Sequence, residues 1–119
     1  MALADPAVPH RRIVGDLLTI EVGSQVETCL IRLSGELDLA TAPAFEAELH
    51  PLLSRDLHTV IVDLEGVEFI DSAGLHCLLR AAERSRAGGD RLRILRPVGA
   101  VDEAMALTGV RDLLPLMDG

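Results

Sequence analysis

The chain has 119 residues, enough for one compact domain with little room for a second. Its net charge is −8 and all eleven basic residues are arginines, which excludes lysine chemistry such as a Schiff base or a P-loop phosphate contact. With only two aromatic residues as well, the composition argues against nucleic-acid and anionic-membrane binding, because both use basic surfaces. It favours a protein partner instead.

The N-terminal stretch Met1 to Arg12 combines prolines, arginines and small residues, so we expect a flexible leader there, followed by a single domain over residues 13–119. No signal peptide is evident, and no apolar run reaches membrane-spanning length. A cytoplasmic protein is therefore expected. Cys29 and Cys77 lie far apart, each within an apolar run, and are predicted to be buried, reduced thiols.

Two stretches rich in β-branched and aliphatic residues follow the leader. They are DLLTIEV, Asp16 to Val22, and TCLIRLSG, Thr28 to Gly35. The intervening GSQVE begins with Gly23 and Ser24, which favour a turn. The pattern predicts an antiparallel hairpin.

The segment ATAPAFEAELHPLLSR predicts the first helix, with Thr41 as its N-cap and Pro43 in the first turn, where a missing N–H is harmless. Pro51 should kink or end this helix. Apolar residues recur at helical spacing at Phe45, Leu49, Leu52 and Leu53.

The rest of the chain alternates strand and helix patterns, which makes right-handed crossovers and parallel strands the default. VRDLLPLM at the end is expected to add a short edge strand or to fold over the surface. The sequence thus predicts an α/β domain whose hairpin adds an antiparallel edge. The elements are a strand buried on both faces at His58 to Leu64, an amphipathic helix at Ser72 to Arg86, a strand at Arg91 to Leu95, and a helix in VGAVDEAMALTG closed by Gly109.

The turn FIDSAGLHCLL carries an acid, a hydroxyl and a glycine where a helix begins. Ser72 is the expected N-cap, and Asp71 could cap the helix equally well. Gly74 disfavours the helix but would let another backbone approach closely. A phosphate on Ser72 would be tolerated at a helix N-terminus, and its charge beside Asp71 would oppose burial in an interface.

A second polar stretch, SGELDLAT, ends a predicted strand. Because loops at the carboxyl ends of parallel strands share one rim, we expect Asp38 near Asp71 and Ser72. The alternative is a charged loop in which Thr41 or Asp38 only caps the next helix.

Other chemistries receive less support. His76 follows Ser72 by four residues, which leaves a small serine hydrolase as a remote alternative, but no G-x-S-x-G elbow is present. The remaining histidines are scattered, so no metal site is expected, and Gly88-Gly89 ends a helix instead of starting a nucleotide loop. No catalytic residue and no cofactor are predicted.

The runs IRLSGELDLATAP, HTVIVDLEGVEFIDSAGLHCLL and VDEAMALTGV resemble the STAS domain, and specifically the stand-alone anti-sigma factor antagonists of bacteria. The likeness extends from about Asp16 to Leu116. It implies a STAS-type mixed sheet of four to five strands, with parallel central strands and an antiparallel N-terminal hairpin, packed with three to four helices.

The resemblance also implies a mechanism, partner switching. Unphosphorylated antagonist binds an anti-sigma factor that is also a serine kinase, and so releases a sigma factor; phosphorylation of Ser72 ends binding, and a phosphatase restores it. ATP and magnesium would belong to the kinase, so this chain would need no cofactor. Ala73 replaces a second hydroxyl found in some members. The expected partner-binding residues are Asp38, Asp71, Ser72, Ala73, Gly74 and Leu75.

The resemblance leaves other roles open. Related single STAS domains serve as cytoplasmic subunits of lipid or anion transport systems, or within signalling scaffolds, and fold alone does not separate these functions. A monomer or weak dimer without nucleic-acid contacts or membrane insertion is expected.

Overall fold

The computed structural model describes residues 11–25, 27–54 and 59–118. Within them, six strands form one sheet in chain order, and three helices and a short 3₁₀ turn connect them. The strands are β1 (Arg11–Val14), β2 (Leu18–Gln25), β3 (Thr28–Leu37), β4 (Thr59–Ile70), β5 (Leu92–Leu95) and β6 (Leu116–Met117), and the helices are α1 (Ala42–Leu53), α2 (Ser72–Ala87) and α3 (Gly99–Thr108), followed by the 3₁₀ turn Val110–Leu113.

The sheet is mixed, as predicted. β1, β2 and β3 are antiparallel neighbours, whereas β3, β4, β5 and β6 run parallel because a helix connects each of these strands to the next. The expected count of four to five strands is wrong, since the N-terminal edge carries the short strand β1 in addition to the edge strand expected at the C-terminus. β1 includes Arg11 and Arg12 from the end of the expected leader, and the remainder of that leader lies outside the described residues.

The C-terminal segment forms both of the structures that were expected as alternatives, a turn over the surface and then the edge strand β6. α3 ends at Gly109, whose positive φ of 76° terminates the helix as predicted.

β4 is longer than predicted, because it continues beyond Leu64 through the acidic EGVEF to Ile70. The extension is paired with β3 across two register shifts, and Gly66 makes them possible. A Cβ on Gly66 would lie 2.9 Å from the Leu33 carbonyl oxygen and 2.7 Å from the Ser34 hydroxyl oxygen, so a larger residue would displace the backbone of β3 at the irregular pairing. His58, the predicted start of this strand, lies outside the described residues.

Pro51 does not end α1. The helix continues to Leu53, and the Ser54 backbone N–H and hydroxyl both donate to the His50 carbonyl, at 3.1 and 3.0 Å. A proline in the last turn removes one backbone hydrogen bond, and burial of Leu52 and Leu53 stabilises that turn in compensation.

The core lies between one face of the sheet and the three helices. Alternate residues of β2 to β5 point toward the helices, and Phe45 is fully buried among aliphatic side chains. Val60, Ile61 and Val62 are all buried, which confirms that β4 is covered on both faces. In the described part of the chain, no helix combines the length and apolar character needed to cross a membrane.

Candidate functional site

The parallel pairing of β3 and β4 extends to Leu37 and Ile70, the last residue of each strand. The loop that enters α1 and the turn that enters α2 therefore leave the sheet side by side, at its carboxyl edge. This arrangement brings the two polar sequence stretches together, as the crossover topology predicted.

Asp71 is the N-cap of α2. The backbone of Asp71 is extended, and its carboxylate lies against the first turn of the helix, where one oxygen accepts from the Gly74 N–H at 2.9 Å. The other oxygen accepts from the Leu39 N–H at 3.1 Å, and the Asp71 N–H donates to the Leu37 carbonyl at 3.4 Å. One side chain thus caps the helix and fastens it to the neighbouring loop.

Ser72 is therefore the first helical residue and not the cap, which corrects the sequence expectation. It is exposed, and within the described residues its hydroxyl has no hydrogen-bond partner, His76 included. The serine stands where a helix offers unpaired N–H groups and the positive end of its dipole. It is an accessible hydroxyl on a fixed backbone.

Gly74 explains why this turn holds its position. A Cβ there would lie 2.3 Å from the Leu37 carbonyl oxygen and 2.8 Å from Cγ1 of Ile70. The start of α2 packs directly against the end of β3, so the predicted close approach of another backbone is confirmed.

The loop before α1 closes on itself. The Thr41 hydroxyl donates to the Glu36 carbonyl at 2.8 Å and accepts from the Asp38 N–H at 2.9 Å. A carboxylate oxygen of Asp38 accepts from the N–H groups of Ala40 and Thr41, at 3.0 and 3.1 Å. Thr41 occupies the N-cap position of α1, as expected, but its side chain does not cap the helix.

The other predicted partner-binding residues differ in exposure. Leu75 is buried in the core, and the space beside Gly74 is filled, so both position the turn and neither offers an accessible side chain. Ala73 is half-buried beside Ser72. The accessible part of the predicted set is therefore Ser72 with the neighbouring carboxylates of Asp38 and Asp71.

Sequence reasoning missed several exposed apolar side chains at the same edge, and three of them lie on or beside β3, β4 and the loop before α1. Leu39 is 76% exposed, and Phe69 and Leu17 are each 49% exposed. Leu17 lies at this edge because its carbonyl accepts from the Glu36 N–H at 2.8 Å, and Phe69 is paired with Glu36 in the sheet. We refer to Leu17, Leu39 and Phe69 as the rim patch. A leucine within the polar loop DLAT and a phenylalanine in the acidic EGVEF were the available signals.

Cys77 lies on the opposite, buried face of α2. Burial raises the pKa of its thiol to about 12, and Glu46 adds to the increase. Cys29 and Cys77 are both buried and neither forms a disulfide, as predicted.

Known proteins that are similar to this chain include anti-sigma factor antagonists. An anti-sigma-B factor antagonist of Staphylococcus aureus is 28% identical over 102 residues, covering 86% of this chain and 94% of that protein. The crystal structure of an anti-sigma factor antagonist from Mycobacterium paratuberculosis matches with a TM-score of 0.77 and 28% identity, over 89% of this chain and 90% of that one.

The anti-sigma factor antagonist SpoIIAA in its unphosphorylated form gives a TM-score of 0.69 and 25% identity, over 84% of this chain and 87% of that one. The phosphorylated form of Bacillus SpoIIAA gives a TM-score of 0.64 and 24% identity, over 84% and 90%. A family model described as Mlab, STAS domain matches residues 20–115. Since that match spans most of the chain, this protein belongs to the STAS domain family.

Proposed function

We propose that this chain is an anti-sigma factor antagonist whose binding to an anti-sigma factor is switched off by phosphorylation of Ser72. The observation that carries the proposal is the state of the Ser72 hydroxyl, which is exposed and without a partner among the described residues, beside a rigid helix start. The relatives named as anti-sigma factor antagonists support the same role.

In the unphosphorylated form, the rim patch supplies the attraction. Leu17, Leu39 and Phe69 expose apolar surface at the edge of the sheet where the Ser72 turn lies, and burying such surface against a partner is favourable. The half-buried Asp38 and Asp71 carboxylates keep their backbone hydrogen bonds in a complex, so docking leaves neither unpaired.

Phosphorylation changes the charge of this surface. A phosphate adds about −1.5 to −2 charges at Ser72, next to the Asp71 carboxylate and close to the Asp38 loop. A partner that covers the turn would have to remove water from all three anionic groups. We therefore expect the phosphorylated chain to release its partner.

The modification does not require the domain to refold. Asp71, and not Ser72, caps α2, so a phosphate on Ser72 replaces no hydrogen bond that holds the turn. The first turn of a helix also tolerates anions. The signal therefore lies in surface charge, with the backbone unchanged.

Two partner proteins add and remove the phosphate in this proposal. The kinase is the anti-sigma factor itself, which holds ATP and magnesium, and a serine phosphatase returns the chain to its binding form. This chain contributes the acceptor hydroxyl and no catalytic group, and it works in the cytoplasm alongside these partners.

The test is an affinity pull-down from a lysate of the source organism, without and with added ATP. The baits are wild type, Ser72→Ala, Ser72→Glu and the control Thr41→Val, and each bait is then analysed by intact mass. Without ATP, we expect an ATP-binding anti-sigma factor on every bait except Ser72→Glu. With ATP, we expect wild type and Thr41→Val to gain one phosphate and to lose the partner, whereas Ser72→Ala gains no phosphate and keeps it. Recovery of a transport ATPase or permease regardless of Ser72, or phosphate gained by Ser72→Ala, would overturn the proposal.

A further inference from the structure

His76 lies one helical turn after Ser72 on the exposed face of α2. Residues four apart on a helix are neighbours, and helical side chains lean toward the N-terminus. The imidazole of His76 is therefore within reach of Ser72 across one turn of α2. In the described part of the chain, His76 has neither a hydrogen-bond nor an ion-pair partner.

The nearby carboxylates are already engaged. Asp71 and Asp38 accept from backbone N–H groups, and both are anionic, so they would repel a phosphate. Two backbone donors at the start of α2 are also occupied, because Gly74 N–H donates to the Asp71 carboxylate and Leu75 N–H donates to the Asp71 carbonyl at 3.0 Å.

The next basic residue on this face of α2 is Arg80, which pairs with Glu46 of α1 at 3.1 Å. Glu46 also lies 3.8 Å from the imidazole of His50. Arg80 is therefore already engaged by a carboxylate of α1 and is not available to Ser72. His76 is consequently the side chain of α2 that combines access to Ser72 with the ability to become cationic without breaking an existing ion pair.

We propose that, once Ser72 carries a phosphate, the protonated imidazole of His76 binds the phosphate oxygens across one turn of α2; this inference rests on the proposed phosphorylation. The imidazolium N–H groups are hydrogen-bond donors, and the phosphate oxygens of a phosphoserine are strong acceptors with about −1.5 to −2 charges. The contact holds the phosphate against the helix.

The test uses protein in which phosphoserine is installed at position 72 during translation, so no kinase or partner is needed. The ³¹P NMR titration of the phosphate is compared in the wild-type background and in His76→Gln, with His50→Gln on α1 as the matched control. A nearby cation favours the dianionic phosphate. We therefore expect the ionisation midpoint to be about 0.4 pH unit lower in wild type and His50→Gln than in His76→Gln.

A further variant, His76→Arg, should restore a low midpoint, because it returns a cation to the same place. Equal midpoints in wild type and His76→Gln would overturn the inference. That result would not affect the antagonist function, which depends on partner release; conversely, failure to recover an anti-sigma factor would not alter this titration.

Discussion

Two helix starts at the same edge of the sheet each combine an aspartate with a hydroxyl, yet they use them in opposite ways. Before α1, the Thr41 hydroxyl is held between the Glu36 carbonyl and the Asp38 N–H. Before α2, Asp71 makes the hydrogen bonds and the Ser72 hydroxyl is left exposed. Similar residue pairs therefore give one structural turn and one turn with an available acceptor for phosphate.

The difference follows from where the hydroxyl stands relative to the cap. Thr41 is itself at the N-cap position, with its side chain directed back into the loop. Ser72 is one residue inside its helix, beyond the cap that Asp71 provides. A sequence that contains both an acid and a hydroxyl can fix the turn with one and leave the other free.

The largest expected effect is from Gly74→Ala, which tests whether the α2 turn depends on the close backbone contact. The new Cβ would collide with the Leu37 carbonyl, and we expect about 3 kcal/mol lower stability in urea denaturation. The control is Gly88→Ala at the other end of α2, where a Cβ would meet its nearest atom at 3.4 Å, with an expected change within about 1 kcal/mol. Equal losses would contradict the proposed packing.

The second effect concerns the acid that fixes the α2 turn. Asp71→Ala removes the cap and the bond to Leu39, and should lower the free energy of unfolding by about 2 kcal/mol. Asp71→Asn keeps one carbonyl oxygen that can still cap the helix, so about half that loss is expected. Urea denaturation of both variants measures this, and a full loss in Asp71→Asn would mean that the cap is not the main contribution.

The two hydroxyls give the third and most direct contrast. Thr41→Val deletes a hydroxyl with two backbone partners and should cost about 1–2 kcal/mol in thermal or urea unfolding. Ser72→Ala deletes an exposed hydroxyl and should change stability by less than about 0.5 kcal/mol. If Ser72→Ala proved as damaging as Thr41→Val, Ser72 would be a structural residue.

A pH-dependent effect distinguishes the two faces of α2, with Ser72 exposed on one and Cys77 buried on the other. Because burial raises the pKa of the Cys77 thiol to about 12 from 9.0, the unfolded chain loses this proton first as the pH rises. The contribution to stability is complete below pH 9 and is lost as the pH approaches 12. We expect urea stability to decrease between pH 8 and about pH 10.5 more in wild type than in Cys77→Ala; an equal decrease would contradict the assignment.

Much of the fold follows from local patterns, and the failures have physical causes. The apolar periodicity and Gly109 located α2 and α3 to within a residue or so. The sequence analysis ended the strand at Leu64, before the acidic EGVEF, whereas β4 continues through it and places Gly66 where a Cβ would lie 2.9 Å from the Leu33 carbonyl oxygen. β1 is only four residues long and begins with two arginines, so its assignment as a strand depends on its antiparallel pairing with β2.

The position of the site in the fold was also predictable from the sequence. Parallel strands bring their carboxyl ends together, so the proximity of the Asp38 loop to Asp71 could be anticipated. The division of roles between Asp71 and Ser72 could not, because either can cap a helix and the choice depends on the Leu39 N–H that approaches Asp71 from the other loop. The exposure of the rim patch likewise depends on tertiary packing.

The most direct test of the account is the affinity of the purified anti-sigma factor for this chain with and without phosphoserine at position 72, measured by calorimetry. Thr41→Val, with an unmodified Ser72, serves as the control for the neighbouring turn. We expect unphosphorylated wild type and Thr41→Val to bind the anti-sigma factor. We expect the phosphorylated chain to bind at least about tenfold more weakly, a loss of about 1.4 kcal/mol of binding free energy. Equal affinities for the two forms would contradict the central claim that the exposed hydroxyl of α2 is the switch.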